Sequence, residues 1–260
     1  MRRLCTAWAI VLGCWPVPRA ELASAQRTDL VPVRGHVQSV HLYGMTNARP
    51  VIVSSGDGGW IHLGPHVAQL LAAHGCFVVG FDVKAYLTSF TTASTTLHAA
   101  DEPADLKTIS DCANQYSPSK PILIGISEGA GLSVLAAADS ITQRSIAGVI
   151  GIGLPDRNEL GWRWRDSLIY LTHGIPNEPT FSAAGFIAKV SPLPLALVHS
   201  THDEFAPLAD AQRMIGLGGD PKRLWVGRCL RSPIQRQPLR LRSKPARRTR
   251  LGDAAHATVG

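Results

Sequence analysis

The apolar run Pro121-Ile122-Leu123-Ile124 ends in Gly125-Ile126-Ser127-Glu128-Gly129, and helix-forming residues follow at once as far as Asp139. No other stretch constrains the fold as strongly. The run suits a strand buried on both faces, and G-x-S-x-G between such a strand and a helix is a tight turn with a serine at its tip. Side chains at 125 or 129 would collide with neighbouring backbone, so glycine is required at both. The turn holds its serine in a strained conformation, with the hydroxyl exposed at the C-terminal edge of the sheet. Without that setting, G-x-S-x-G recurs by chance and fits a plain structural turn. Here it marks Ser127 as a nucleophile.

The rest of the chain repeats the strand and helix alternation. Val37–Leu42 alternates like a strand, Pro50–Ser54 is a short β-branched run, and Cys76–Val83 is apolar but for Asp82. Leu63–His74 has helical spacing with Gly75 at the C-cap position, and a second helical segment lies around Ala104–Tyr116. A Ser/Thr-rich loop is expected at Thr88–Thr96. Further strands are expected at Ile146–Ile152, Leu193–Ser200 and Lys222–Gly227, with helices at Gly129–Asp139 and Asp210–Leu217. The fold class is therefore α/β: an α/β-hydrolase-type, mainly parallel sheet with helices on both faces. Between Leu154 and Val190 the pattern loosens, and Trp162, Trp164, Tyr170, Phe181 and Phe186 crowd together. Two readings stay open for them, a short cap over an apolar pocket and an ordinary excursion packed onto the core.

A nucleophilic serine needs a base to take its proton and an acid to orient that base. In this fold the acid follows a later strand. Asp203 lies just past the run Leu195-Ala196-Leu197-Val198-His199-Ser200, with Glu204 as the fallback. The oxyanion hole is expected from the backbone N–H of Glu128 and a second N–H in Ser55-Gly56-Asp57-Gly58-Gly59-Trp60, that of Asp57. This glycine-rich loop has neither G-x-G-x-x-G spacing nor a P-loop lysine, so it serves backbone approach and not phosphate binding. His62 and His66 are four apart, but Leu63-Gly64-Pro65 between them supplies no glutamate, so no zinc site and no cofactor is expected. His199 and His202 flank the acid, and neither is assigned as the base.

Charge and the ends of the chain narrow the setting. Arg2 and Arg3, the apolar run Leu4–Trp15 and Ala23-Ser24-Ala25 read as an export leader that leaves a chain starting at Gln26. Val11-Leu12-Gly13-Cys14 also resembles a lipoprotein box, with Leu12 where a small residue is usual. Cys76, Cys112 and Cys229 are too few and scattered for a disulfide framework. Residues 228–260 hold nine Lys or Arg against one acid, whereas residues 26–227 hold 14 against 17. The basic character thus belongs to the tail, which gives a route to an anionic membrane surface but none for the folded part to nucleic acid. The expected substrate is a small-molecule or lipid ester.

The leader, SGDGGW at Ser55–Trp60, GFDVKAY at Gly80–Tyr86 and GISEGAG at Gly125–Gly131 together resemble the bacterial virulence family AcvB/VirJ of α/β-hydrolases, over roughly Pro50–Gly227. The resemblance implies an exported, periplasmic serine hydrolase, and some relatives act on lysyl-phosphatidylglycerol. Ser127 and Asp203 match the family's nucleophile and acid positions. The resemblance also calls for a histidine in a loop after the last strand, and then a closing helix. Here the chain reads GRCLRSPIQRQPLRLRSKPARRTRLGD, with three prolines and no histidine before His256. One reading is a basic tail that binds nucleic acid or anionic lipid. The other is a shifted frame: wobble-compatible codons for Arg228–Arg242, read one base later, give AASDHRFSDNLSDF, with a histidine in an HRF context.

Overall fold

The computed structural model describes residues 27–164, 178–203 and 206–227. The leader, Tyr170, Glu204, His256 and the tail 228–260 lie outside the described residues. The main sheet runs in the order β1 (Arg27–Val33), β2 (His36–Tyr43), β4 (Cys76–Phe81), β3 (Arg49–Ser54), β5 (Ile122–Ile126), β6 (Gly148–Ile152), β9 (Leu195–Ser200) and β10 (Lys222–Gly227). From β4 to β10 all neighbours are parallel, while β2 pairs antiparallel with both β1 and β4. The apolar runs become the middle of this sheet. Ile52 lies opposite Val79 on one side and Leu123 on the other, and is fully buried.

Side chains alternate between the two faces with the period of a strand. On one face Ile52, Val79, Leu123, Val149, Leu195 and Leu197 meet residues of α2 (Val83–Phe90), α3 (Glu102–Asn114), α4 (Glu128–Ala137) and α6 (Leu208–Leu217). On the other, Tyr43, Val51, Val53 and Val78 meet Ala68 of α1 (Leu63–Ala73). A short helix, α5 (Ser140–Gln143), follows α4, and β7 (Arg157–Glu159) pairs antiparallel with β8 (Thr180–Ser182) in a separate ribbon. Every residue of α4 is buried, so the helix behind the serine is held by packing on all sides.

The structure differs from the sequence expectation after β4. The strand stops at Phe81, and Val83–Phe90, expected as strand end and loop, is helix. Asp82 is the reason: its backbone is extended and its carboxylate accepts the Ala85 N–H at 3.0 Å. Val83, Tyr86 and Leu87 then bury one helical face. In the aromatic segment, Phe181 is buried and packs edge-on against Phe186, serving the core, whereas Trp164 is exposed. Trp162 borders an open cleft lined with Asp82, Lys84, Ala85, Thr88 and Ser89.

Candidate active site

Ser127 occupies the residue between β5 and α4, with φ 51° and ψ −116°. That is a left-handed backbone in a non-glycine residue, which costs about 1–3 kcal/mol and persists only where the surroundings enforce it. They do so by close packing. A Cβ on Gly125 would stand 2.1 Å from the Gly129 carbonyl oxygen and 2.4 Å from Ala130 N, while one on Gly129 would stand 2.4 Å from the Ser55 carbonyl oxygen. The Ser127 N–H is spent on the Ile152 carbonyl at 2.8 Å, which ties the turn to the end of β6. Its side chain does not cap α4, so the half-buried hydroxyl is left available at the sheet edge.

The first N–H groups of a helix have no acceptor within it. In α4 these begin with Glu128, and the positive end of the helix dipole lies there too. Facing them is the loop after β3, in which a Cβ on Gly56 would lie 3.3 Å from the Ser127 Cβ and 4.0 Å from its Oγ. Several contacts set this loop. Ser55 donates its N–H to Phe81 O at 3.0 Å, its Oγ accepts the Val83 N–H at 3.1 Å, and Gly59 N–H closes a turn on Gly56 O at 3.0 Å. Trp60 donates Nε1–H to the Tyr43 hydroxyl at 3.3 Å and stacks on His41. Its ring lies over Gly80, where a Cβ would be 2.1 Å away. The two motifs SGDGGW and GFDVKAY therefore interlock, the glycine of one making room for the tryptophan of the other.

Asp57 stands in this loop with its carboxyl pushed up by burial and drawn back down by the N–H groups of Gly58 and of Asp57 itself, and by Lys84. Lys84 lies 4.0 Å over the Trp162 ring at the rim.

Sequence reasoning used only the N–H of Glu128, but its side chain is equally notable. The carboxyl is buried, accepts a hydrogen bond from the Glu159 N–H of β7, and is pushed well above the usual range by burial, then by the charges of Glu159 and Asp57. A carboxyl raised in the folded state favours folding below its unfolded pKa, and that contribution is lost as pH rises toward the folded value. Stability should therefore fall as pH rises above the ordinary glutamate range, and Glu128→Gln should flatten that fall, because glutamine keeps the acceptor for Glu159 and carries no charge. Denaturant midpoints of both proteins over a pH series measure this. Equal slopes would show that Glu128 is not the titrating group.

Asp203 lies three residues beyond β9. Its Oδ1 accepts the Ala206 N–H at 3.0 Å, and Oδ2 faces Gly153, at 3.4 Å from where a Cβ would be. Ile126, Ile152 and Val198 are in register at the ends of β5, β6 and β9. With strands about 4.8 Å apart, the serine and the acid emerge from strand ends about 10 Å apart, a span that an imidazole and its two hydrogen bonds can bridge. His199 is buried with Nε2 on the Ala206 carbonyl at 2.6 Å, a tie that holds the acid's loop. His202 is exposed, with Nδ1 2.8 Å from the Thr201 hydroxyl. Among the described residues no histidine hydrogen-bonds Ser127. Cys76 and Cys112 are free thiols, and Cys229 lies outside the described residues.

A mainly parallel sheet with its strained serine turn between β5 and α4 is the α/β-hydrolase fold, and solved structures agree. Est1E from Butyrivibrio proteoclasticus superposes with a TM-score of 0.55 at 14% identity, over 77% of this chain and 88% of that one. An esterase domain from a Rhodothermus marinus protein gives 0.53 at 16%, over 77% and 86%. A dienelactone hydrolase from Anabaena variabilis gives 0.55 at 15%, over 80% and 87%. Residues 49–157 match the profile of the family described as Bacterial virulence protein (VirJ), which bears out the resemblance over the Ser55–Trp60 loop, the serine turn and β7. No curated protein matches the chain.

Proposed function

We propose that this chain is an exported serine hydrolase that cleaves an ester bond of a small molecule or lipid, acting in the periplasm or outside the cell. The left-handed backbone at Ser127 carries the reading. Ser127 Oγ attacks the ester carbonyl as a base takes its proton, and the oxyanion is received by the N–H groups of Glu128 and Asp57. The alcohol leaves with the proton, and water, activated by the same base, then releases the acid from the serine. Asp203 orients the base. The substrate suggested by the family resemblance is an aminoacylated phospholipid such as lysyl-phosphatidylglycerol. The charges of Asp57 and Glu159, both felt by the buried Glu128 carboxyl beside the turn, would favour a cationic acyl group over an anionic one. The basic tail would add attraction to an anionic membrane surface.

A second reading is favoured by the lack of any histidine bonded to Ser127 among the described residues: a hydrolase-fold protein that binds ligand without turnover. The base must otherwise come from outside those residues, from His173 or His256, or from a restored reading frame after Gly227. A fluorophosphonate separates the two. Stoichiometric labelling mapped to Ser127 supports the hydrolase. Very weak labelling that rises sharply once the frame after Gly227 is shifted by one base supports a hydrolase that has lost its base. Ligand binding with no labelling in either form supports the binding module. Sequencing the gene across codon 227 checks the frame itself, and an uninterrupted frame for the Arg-rich tail would remove that explanation.

A further inference from the structure

Ser55 follows β3 directly and is buried. Its N–H donates to Phe81 at the end of β4, and its carbonyl oxygen lies so close to α4 that a Cβ on Gly129 would stand 2.4 Å away. The hydroxyl works in both directions. Oγ accepts the Val83 N–H of α2 at 3.1 Å and donates to the Gly56 carbonyl oxygen at 3.1 Å. Val83 opens α2, so its N–H has no acceptor within the helix, and the Asp82 carboxylate is engaged with Ala85 instead. α2 is a firm anchor. The Tyr86 hydroxyl donates to Asp105 of α3 at 2.7 Å, and Asp105 also receives the Arg34 guanidinium at 2.7 and 2.6 Å.

The Gly56 carbonyl thus has two donors, the Ser55 hydroxyl and the Gly59 N–H at 3.0 Å. In a trans peptide the C=O and the following N–H point in opposite directions, so holding one fixes the other. Here the following N–H is that of Asp57. Gly56 lies against the nucleophile, since a Cβ there would stand 3.3 Å from the Ser127 Cβ and 3.4 Å from the Ile126 carbonyl oxygen. Glycine at 56 and 58 leaves this backbone little restraint of its own, so hydrogen bonds must oppose a flip of the peptide. A flipped peptide would present a carbonyl oxygen in place of the N–H.

We propose that Ser55 is a positioning residue: its hydroxyl ties the Gly56–Asp57 peptide to α2 and so keeps the Asp57 N–H turned toward the oxyanion formed on Ser127. This role rests on the hydrolase reading of Ser127 and adds to it the group that sets the second donor. Loss of one oxyanion donor lowers kcat by about 10²–10³-fold. The Gly59 bond survives removal of the hydroxyl, so a smaller loss is expected.

The full chain is compared with Ser55→Ala, and Ser55→Thr with Ser55→Val, a pair of equal shape in which only threonine has the hydroxyl. With p-nitrophenyl butyrate, Ser55→Ala should lower kcat about tenfold or more while KM stays within about twofold, and Ser55→Thr should exceed Ser55→Val by a similar factor. A helix cap alone would lower the denaturant midpoint and leave kcat unchanged. That result, a loss confined to KM, or equal kcat for the threonine and valine variants would overturn the proposal. Ser127→Ala separates this role from the hydrolase reading. If the full chain shows no turnover that depends on Ser127, that reading fails, and positioning is measured instead with phenylboronic acid, whose tetrahedral adduct on Ser127 sets a boron-bound oxygen among the same donors. Ser55→Ala should then weaken binding about tenfold or more. Equal affinity, or no binding by the unaltered chain, would overturn the proposal.

Discussion

Valine in place of Gly125 should give no folded protein, and alanine there should already lower stability by about 3 kcal/mol or more. The cause is the identity of the obstacles. A Cβ at 125 meets the Gly129 carbonyl oxygen at 2.1 Å and the Ala130 N and Cα at 2.4 Å, all backbone atoms of a helix that is buried throughout. No rotamer change can move them, so β5 and α4 would have to separate. Against a total stability of about 5–15 kcal/mol, a loss of that size removes much of the margin. Two glycines of the Ser55–Trp60 loop give the comparison. At Gly58 an added Cβ would meet nothing within 4 Å, so alanine should be accepted there with full stability. Gly56→Ala should fold but crowd Ser127, so that phosphonate labelling slows while the denaturant midpoint holds. An equally stable Gly125→Ala would contradict the packing on which the serine turn depends.

Ser127→Ala should abolish labelling and lower any ester turnover by about 10⁴-fold or more, as removal of a nucleophile does elsewhere. Labelling that survived would remove Ser127 from the mechanism. Ser127→Gly should be just as inactive, yet more stable than Ser127→Ala. Alanine keeps the left-handed strain of about 1–3 kcal/mol, whereas glycine relieves it and loses about 0.5–1 kcal/mol to greater freedom in the unfolded chain. A net advantage of about 1 kcal/mol, read from urea midpoints, would show that the turn is held against its own preference. Equal midpoints would mean that the conformation is unstrained.

The elements most open to reading were those whose pattern is local. β3, β4 and β5 are apolar on both faces because helices cover a parallel sheet, and that leaves a continuous run that can be seen without knowing the partners. The Ser127 turn was legible because two glycines at fixed spacing report a steric demand. α2 was missed because its signal is one N-cap, Asp82, at the end of an apolar strand, followed by a helix with only a narrow buried face. The ribbon β7 and β8 joins residues more than twenty apart in three-residue strands, too short for alternation to show.

Sequence alone determined the class of fold, the serine turn and the placing of an acid after β9, because each rests on neighbours a few residues apart. It also located the break in pattern after Gly227. Only the tertiary structure decided that Glu128 is a buried acid bonded to β7 and that Trp60 needs Gly80 beneath it. Each of these depends on contacts between segments distant in the chain.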